Sequence, residues 1–325
     1  MYTRLLSELR SADEADFGGK SASLGELIAG EIPVPPGFAL SADAYRRFLD
    51  EAGLDPRAPA DAIVSALGER GLPGAVRDEV LAAYEALGDD APVAVRSSAI
   101  GEDSAEATFA GQQETYLWVR GADAVCQAVR DCWASLHGAA ATSYRARLEG
   151  GGEAPAMGVA VQVMVDAAVS GVLFTCNPVS GDPSTVAVNA SWGLGVAVVA
   201  GEVTPDEYRV SKVTGELLHR AVGTKEVEYV PGETPGTMRV DVPEERRAEP
   251  CLDDVQLAAL VDLGRRVERH FGSHQDVEWA IARDGELFLL QSRPVTAKPA
   301  KPARPARSAM ELVMNTFGAR PGEGQ

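Results

Sequence analysis

The chain has 325 residues, of which 45% are hydrophobic and 24% are charged, and its formal net charge is −18. This composition is typical of a folded globular protein. The strong negative charge disfavours nucleic acids and anionic membranes as partners, because both are polyanions. No apolar run approaches the roughly 20 residues that a membrane span needs, and the N-terminus is too polar for a signal peptide. We therefore expect a cytoplasmic protein without a membrane segment.

The spacing of cysteines and histidines argues against a structural metal site. The four cysteines fit neither a zinc ribbon nor a disulfide framework. They are interpreted as buried thiols in a reducing compartment. The four histidines are scattered, and none lies at ligand spacing from a cysteine or a carboxylate.

The first glycine-rich segment predicts a turn that leads into a helix over 18–29, because apolar residues follow Gly18-Gly19-Lys20-Ser21 at helical spacing. Lys20 in the first turn is either solvated or a phosphate ligand, since the backbone N–H groups and the helix dipole there both favour anions. A P-loop is excluded, because Glu14 occupies the position of its first glycine. A strand over 38–40, a helix over 43–49 and a helix within 53–75 complete this part.

The next segment, over 92–98, predicts a buried strand that ends in polar groups. Arg96 lies in this strand, and a buried arginine needs an anionic partner, so we expect a bound phosphate or an internal carboxylate beside it. A loop of small and acidic residues follows. The further predicted elements are a strand over 116–119, a helix over 125–148 that ends at the triple glycine 150–152, strands over 159–165, 171–175 and 186–189, a glycine-rich turn over 192–202 and a meander over 207–230.

The C-terminal part begins with a helix that has a clear start signal. Asp253 and Gln256 form a capping-box pattern, and an apolar stripe continues from them to Phe271. Strands are predicted over 276–282 and 286–292. After Thr296 the composition changes to a basic segment rich in Pro and Ala, which predicts an extended linker. Strands in clusters between helices favour an α+β fold with more than one sheet.

The last two strands predict a hairpin, because Asp284-Gly285 between them is a strong turn signal. This turn places Glu278 opposite Gln291 and Asp276 opposite Arg293, on one face, with opposite Cβ atoms about 4.5–5.5 Å apart. Carboxylate and amide oxygens suit Mg²⁺, and a guanidinium suits phosphate. The pattern also fits a solvated face with an Asp276–Arg293 ion pair. The other face is predicted to pack on the core through Val277, Trp279, Phe288 and Leu290.

Seven segments in series resemble the nucleotide-binding domain of the phosphoenolpyruvate synthase, pyruvate phosphate dikinase and rifampin phosphotransferase superfamily. They match in order from about residue 10 to residue 296 and read GGKSASLGEL, VAVRSSA, FAGQQETYLWV, VSGVLFTCNP, GEVTPDEY, DVEWA and LLQSRPVT. The resemblance implies an α+β ATP-grasp fold, in which two lobes clamp ATP. On this basis we expect an N-terminal lobe over 1–190, a C-terminal lobe with the hairpin over 191–296, and a linker and tail over 297–325.

The resemblance also implies roles for individual residues. Lys20, Arg96 and Arg293 would contact the phosphates and take part in the transfer, and Glu278 and Gln291 would hold Mg²⁺. The further nucleotide-binding candidates are Gln162 near the adenine, Gln112, Gln113 and Thr115 after the loop that covers the phosphates, Asp276 on the hairpin, and Glu202. The family usually has an acidic residue after the Gly-Leu-Gly segment, where this chain has Val196. If that carboxylate helps to bind metal or nucleotide, Glu202 must replace it or the function is weakened.

The implied activity is that of a dikinase-type phosphotransferase. ATP would (pyro)phosphorylate a histidine on a phosphohistidine domain, with AMP and phosphate as coproducts. Only Ser273-His274 has a context even superficially like that histidine, and it lies at a strand start, so we expect the acceptor histidine on a separate or missing domain. The chain is then either a fragment or a subunit with a partner that carries the histidine and acceptor domains. Two alternatives stay open: an ATP-grasp ligase that releases ADP, and a degenerate nucleotide-sensing module.

Overall fold

The computed structural model describes residues 1–100, 114–138, 156–232 and 236–295. The helices in these ranges are α1 Glu14–Phe17, α2 Gly19–Ala29, α3 Ala42–Ala52, α4 Ala60–Glu69, α5 Gly74–Glu85, α6 Ala122–Ser135, α7 Val196–Val199, α8 Glu244–Arg247 and α9 Asp254–Phe271. The strands are β1 Thr3–Leu5, β2 Gly37–Leu40, β3 Val93–Ala99, β4 Thr115–Val119, β5 Met157–Val163, β6 Ala167–Phe174, β7 Thr185–Trp192, β8 Asp206–Ser211, β9 Leu217–Ala221, β10 Val227–Pro231, β11 Thr237–Asp241, β12 Gln275–Ala282 and β13 Leu287–Pro294. None of the helices described is long and apolar enough to cross a membrane.

The strands form two large antiparallel sheets and one small hairpin. The first sheet has the order β1-β2-β5-β3-β4, the second has the order β13-β12-β6-β7-β8-β9, and β10 pairs with β11. The predicted α+β class is therefore confirmed, with two lobes around a cleft as an ATP-grasp fold requires. The chain passes from the first sheet to the second between Val163 and Ala167. The predicted division at 190/191 lies further along the chain, inside β7.

Each sheet packs one face against helices, and part of its other face lines the cleft. The core of the first lobe joins strand residues such as Val95 to helix residues such as Phe48 and Trp133. A second core cluster joins Trp279 on β12 to apolar residues of α2 and α9, and it also includes Ala39 and Ala160 of the first sheet. Because strand side chains alternate between faces, residues such as Arg96 between the buried core positions of β3 face the cleft.

Most predicted elements are present, with differences at their ends. The cap of α9 is confirmed, because the Asp253 side chain accepts a hydrogen bond from the backbone N–H of Gln256. β1, β11, α5 and the short helices α1, α7 and α8 are not predicted from the sequence. α5 begins after Pro73 with a glycine, which is typical of loops. The predicted helix over 125–148 is observed as α6 as far as Ser135. The helix ends there and a turn follows over 136–138, so the prediction is wrong for these residues. Positions 139–148, the loop at 101–113 and the tail lie outside the described residues.

The four cysteines are free and buried, which confirms the prediction of buried thiols. Burial raises the pKa of the thiols of Cys126, Cys132, Cys176 and Cys251. Each thiol is therefore protonated at neutral pH and a poor nucleophile.

A fully buried ion pair joins β8 to two loops of the second lobe. The side chains of Asp206 and Lys225 are both inaccessible to solvent, and Lys225 Nζ donates to Asp206 Oδ1. The same carboxylate accepts from the backbone N–H of Gly223 at 2.8 Å and of Cys251 at 2.6 Å. The carboxylate is thus satisfied by several donors, as a buried charge requires.

We expect Asp206→Ala to lower the free energy of unfolding by about 3–5 kcal/mol, because it leaves the Lys225 ammonium buried without a counter-charge. The matched control is Glu51→Ala, which breaks the exposed Arg47–Glu51 pair on α3 and should change the free energy by less than about 1 kcal/mol. Urea unfolding followed by circular dichroism measures both. Equal, small effects of the two substitutions would contradict the role given to the buried pair.

Candidate functional site

A cavity of about 440 Å³ lies in the cleft between the two sheets. Its volume is in the range of sites for small organic ligands, about 300–1,000 Å³. The cavity is bounded by β3, β4 and β5 of the first sheet, by the connection at 163–167, and by β6, β12, β13 and the glycine-rich segment before α7. Of the residues predicted from the sequence, Arg96, Thr115, Gln162 and Glu278 line it.

Arg96 connects the two sheets across the cleft. Its Nη2 donates to Glu278 Oε2 at 2.8 Å and to Gln291 Oε1 at 2.5 Å, and its Nη1 donates to the carbonyl oxygen of Leu290 at 3.0 Å. The side chain is buried, so these contacts compensate for the water that the guanidinium loses. The internal carboxylate expected beside Arg96 is therefore Glu278.

A further donor of Arg96 has no such partner. Its Nε is buried and makes no hydrogen bond within the part of the chain that the structure describes. An unsatisfied buried donor beside a cavity is a position that a ligand oxygen can fill. The Arg96 guanidinium can thus hold the hairpin and still offer one N–H group to an anion.

Lys20 lies in the first turn of α2, close to the end of β3. Its Nζ donates to the carbonyl oxygen of Ser97 at 3.0 Å, so the ammonium is placed next to the residue that follows Arg96. This approach depends on Gly18, which has φ = 81°, and where a Cβ atom would lie 2.1 Å from the carbonyl oxygen of Ser98. Gly18 is therefore required for close packing of the helix start on β3.

The predicted pairing of the hairpin is confirmed. Glu278 lies opposite Gln291, and Asp276 lies opposite Arg293. Arg293 Nε donates to Asp276 Oδ2 at 2.9 Å, so the ion pair allowed by the pattern is also present. Burial raises the pKa of the Asp276 carboxyl, and the Arg293 charge opposes this effect.

The predicted two-residue turn is wrong. β12 ends at Ala282, whose N–H donates to the carbonyl of Glu286 at 2.9 Å, so the turn is longer by one residue. A β-bulge at Leu290 compensates for the extra turn residue. Trp279 lies opposite Leu289 and Glu278 lies opposite Gln291, so Leu290 between them has no opposite residue. The carbonyl of Leu290 is the one that accepts from Arg96. The bulge thus directs a backbone oxygen into the cleft.

The prediction that Phe288 and Leu290 share the core face with Trp279 is also wrong. Trp279 belongs to the core of the second lobe together with Leu289. Phe288 and Leu290 instead pack with Ala280, on the cleft side of the sheet. The reason is the bulge, because a shift of one residue in register moves each following side chain to the opposite face.

The two candidates on the first sheet differ in exposure. Gln162 on β5 is 3% exposed and its Nε2 makes no hydrogen bond among the described residues. It lines the cavity beside the connection between the lobes. Thr115 begins β4 and is exposed at the cavity rim. Gln112 and Gln113 lie outside the described residues.

Glu202 is not among the residues that line the cavity. Its two carboxylate oxygens each accept from the Tyr229 hydroxyl at 3.1 Å, and Arg239 lies 3.7 Å away. Val196, in contrast, lines the cavity with its apolar side chain. Glu202 thus contacts Tyr229 and does not line the cavity, and Val196 presents an apolar side chain where a carboxylate was expected.

Several groups in the site carry no signal that sequence reasoning could use. The carbonyls of Ser97 and Leu290 act through the backbone, which looks the same for every residue type. Glu114 lines the cavity from the segment just before β4, and Ser170 lines it from β6. Within the described residues no three His, Cys, Asp or Glu side chains are grouped closely enough to hold a metal ion by themselves.

Comparison with known proteins identifies similar sequences over almost the whole chain. A family model described as pyruvate phosphate dikinase, AMP/ATP-binding domain, matches residues 14–313. A probable phosphoenolpyruvate synthase of Methanothermobacter thermautotrophicus is 40% identical over 99% of this chain and 50% of its own length. A rifampicin phosphotransferase of a Streptomyces species is 41% identical over 91% of this chain and 36% of its own length. The chain therefore spans about half or less of the length of these relatives.

Solved structures add no further argument. D-alanyl-alanine synthetase A of Vibrio cholerae covers 94% of this chain and 64% of its own, with 12% sequence identity and a TM-score of 0.35. A similarity at that level supports no conclusion about the site.

We expect Arg96→Met to lower the free energy of unfolding by about 1–3 kcal/mol, because it removes three hydrogen bonds between the sheets and leaves Glu278 without a partner. Glu278 is partly exposed and can regain water, which limits the loss. The control Arg283→Met breaks an exposed pair with Asp166 and should cost less than about 1 kcal/mol. Urea unfolding measures both, and a loss no larger than that of the control would rule out Arg96 as a link between the lobes.

Proposed function

The chain belongs to the pyruvate phosphate dikinase AMP/ATP-binding domain family, and we propose that its cleft binds Mg-ATP as the donor site of a dikinase-type phosphotransferase. The observation that carries this proposal is the meeting of Glu278 and Gln291 at the Arg96 guanidinium, at the edge of an otherwise mainly apolar cavity. A cavity with one apolar and one charged end suits a ligand with a flat base and a row of phosphates.

The apolar end of the cavity suits the base. It is formed by the connection between the lobes and by Leu194, Ala280 and Leu290. Gln162 adds an unsatisfied amide N–H group there, and a base with ring nitrogens and an exocyclic amine can pair with an amide. These features support adenine at this end of the cavity.

The charged end suits Mg²⁺ and phosphates. Glu278 and Gln291 direct their side-chain oxygens to the Arg96 guanidinium, which is a cation. In the ligand-bound state Mg²⁺ would take these two oxygens instead. Two protein oxygens fit Mg²⁺, because this ion takes few protein ligands and fills its shell with water and phosphate oxygens. Bound there, Mg²⁺ would neutralise charge on the phosphates.

The basic residues would share the remaining work. In the ligand-bound state, Glu278 and Gln291 would turn towards the metal, and Arg96 would turn its freed N–H groups towards the phosphates. Lys20 in the first turn of α2, and Arg293 two residues beyond Gln291 on the hairpin, are the further candidates for phosphate contacts. Positioned cations lower the barrier to phosphoryl transfer because they stabilise charge that develops on the transferred group. No general base in this chain is needed for that step.

The acceptor is proposed to lie outside the sequence. A histidine on a phosphohistidine domain would take the (pyro)phosphoryl group, with AMP and phosphate as coproducts and a further domain that carries the final acceptor. Two observations support this proposal: the chain spans about half of the length of the relatives it matches, and none of its histidines lines the cavity.

We expect the chain to bind ATP in the presence of Mg²⁺, and Glu278→Ala to weaken this binding at least about tenfold. Mg²⁺ should also raise the affinity for ATP less in the variant than in the wild type, because the variant lacks one metal ligand. Isothermal titration calorimetry with and without Mg²⁺ measures both. Glu202→Ala is the control and should leave the affinity unchanged, because its carboxylate points to Tyr229. Absence of ATP binding, or an unchanged affinity in Glu278→Ala, would favour the degenerate nucleotide-sensing module.

We further expect the purified chain to convert almost no ATP to AMP, because it lacks the acceptor histidine. AMP should form in a stoichiometric amount when a phosphohistidine domain of a related phosphoenolpyruvate synthase is added. Nucleotide chromatography with ³¹P NMR identifies the products. Rapid AMP formation by the chain alone would contradict the proposal, and release of ADP with an acceptor would indicate a ligase instead.

A further inference from the structure

An unusual residue lies in β4, the edge strand of the first sheet. The pairing of β3 with β4 shifts from Val93 opposite Val119 to Val95 opposite Tyr116, so β4 carries an extra residue in this stretch. Trp118 in this bulge has φ = 57°. Bulky side chains are rare in this left-handed region, and such a conformation persists only where the surrounding contacts enforce it.

The bulge directs the Trp118 side chain out of its own lobe. It is 5% exposed and belongs to a cluster whose other buried members are Val165, Ala167, Leu194 and Ala280. Val165 lies in the connection between the lobes, and the other three belong to the second lobe. Trp118 therefore belongs to the first sheet but buries its ring against apolar residues of the second lobe.

The same cluster forms the apolar wall of the cavity. Val165, Ala167, Leu194 and Ala280 all line the cavity, and Trp118 packs against them without lining it. The backbone carbonyl of Trp118 also accepts from the N–H of Gly236 at 3.1 Å, next to β11. Side chain and backbone of one residue thus tie β4 to two parts of the second lobe.

Val196 completes this contact. It packs against the Trp118 cluster and occupies the position where the resemblance leads one to expect an acidic residue. A carboxylate there would lose water against an apolar surface, whereas valine extends the surface. The departure at Val196 thus accompanies an apolar contact between the lobes.

We propose that Trp118 is a positioning residue that sets the separation of the two sheets, so that Arg96 on β3 reaches the hairpin and the cavity keeps the width of a base. The part that concerns ATP rests on the proposed function, whereas the separation of the sheets does not. A tryptophan that served only as a core residue would affect stability alone. The test must therefore measure lobe separation as well as stability.

The lobe separation can be measured between spin labels on cysteines introduced at Val64 on α4 and Val213 between β8 and β9. These positions are 41% and 84% exposed, and the native cysteines are buried, so labelling is selective. Trp118→Asn keeps a residue that tolerates a left-handed backbone but removes the ring, whereas Trp118→Phe keeps an aromatic ring. Trp133→Phe, in the core of the first lobe, is the control for loss of aromatic volume.

We expect one narrow distance distribution in the wild type, in Trp118→Phe and in Trp133→Phe, and a broader and longer distribution in Trp118→Asn. A wild-type distribution in Trp118→Asn, or equal broadening in Trp133→Phe, would overturn the proposal. If Trp118→Asn does not fold, Val196→Glu provides the same test from the second lobe. It should broaden the distribution with Trp118 intact, and an unchanged distribution would overturn the proposal.

Calorimetry connects the separation to the site. If Trp118→Asn reduces the population of the closed arrangement to about a tenth, the affinity for Mg-ATP falls about tenfold. Trp118→Phe should restore the affinity to within about threefold of the wild type. An unchanged affinity together with an altered distance would overturn the link to the cavity. Absence of ATP binding in the wild type would refute the proposed function, while the distances would still decide the position of Trp118.

Discussion

The Arg96 guanidinium donates to three oxygens of the opposite sheet, and the architecture of the cleft depends on these contacts. An arginine buried in the middle of an apolar strand needs partners, because the loss of water is otherwise uncompensated. Glu278 and Gln291 supply two of them from adjacent strands of one hairpin. Their oxygens are thereby held at one point, which is where the proposed Mg²⁺ would bind. The same contacts organise the site and join the lobes.

The neighbouring constraints act on the backbone. Gly18 lets the start of α2 approach β3 more closely than any other residue could, which brings Lys20 beside the same strand end. The bulge at Leu290 turns a carbonyl towards Arg96, and the bulge at Trp118 turns a ring into the second lobe. Basic groups are concentrated here by local geometry, although the chain as a whole carries a charge of −18. A phosphate site in so acidic a chain has to be built in this local way.

The hairpin shows both the reach and the limit of sequence reasoning. Alternation of polar and apolar residues predicts two strands, and Asp284-Gly285 predicts their turn. The pairing of Glu278 with Gln291 is correct, but the turn is longer than predicted and a bulge shifts the register back. The extra turn residue and the bulge therefore cancel at Glu278 and Gln291. Between the turn and the bulge the register differs from the prediction by one residue, and Phe288 and Leu290 lie on the cleft side. A bulge is selected by packing and has no local sequence signal strong enough to predict it.

The sequence by itself determined the α+β class, most of the helices and strands, the cap of α9 and the residue types that a phosphate and metal site requires. These properties depend on local periodicity, turn chemistry and charge, all of which are readable along the chain. The tertiary structure alone decided which oxygens Arg96 contacts, that Glu202 contacts Tyr229 and does not line the cavity, and that Trp118 packs into the other lobe. Those outcomes depend on contacts between residues far apart in the chain, because the free energy of burying a charge or a ring is set by its surroundings.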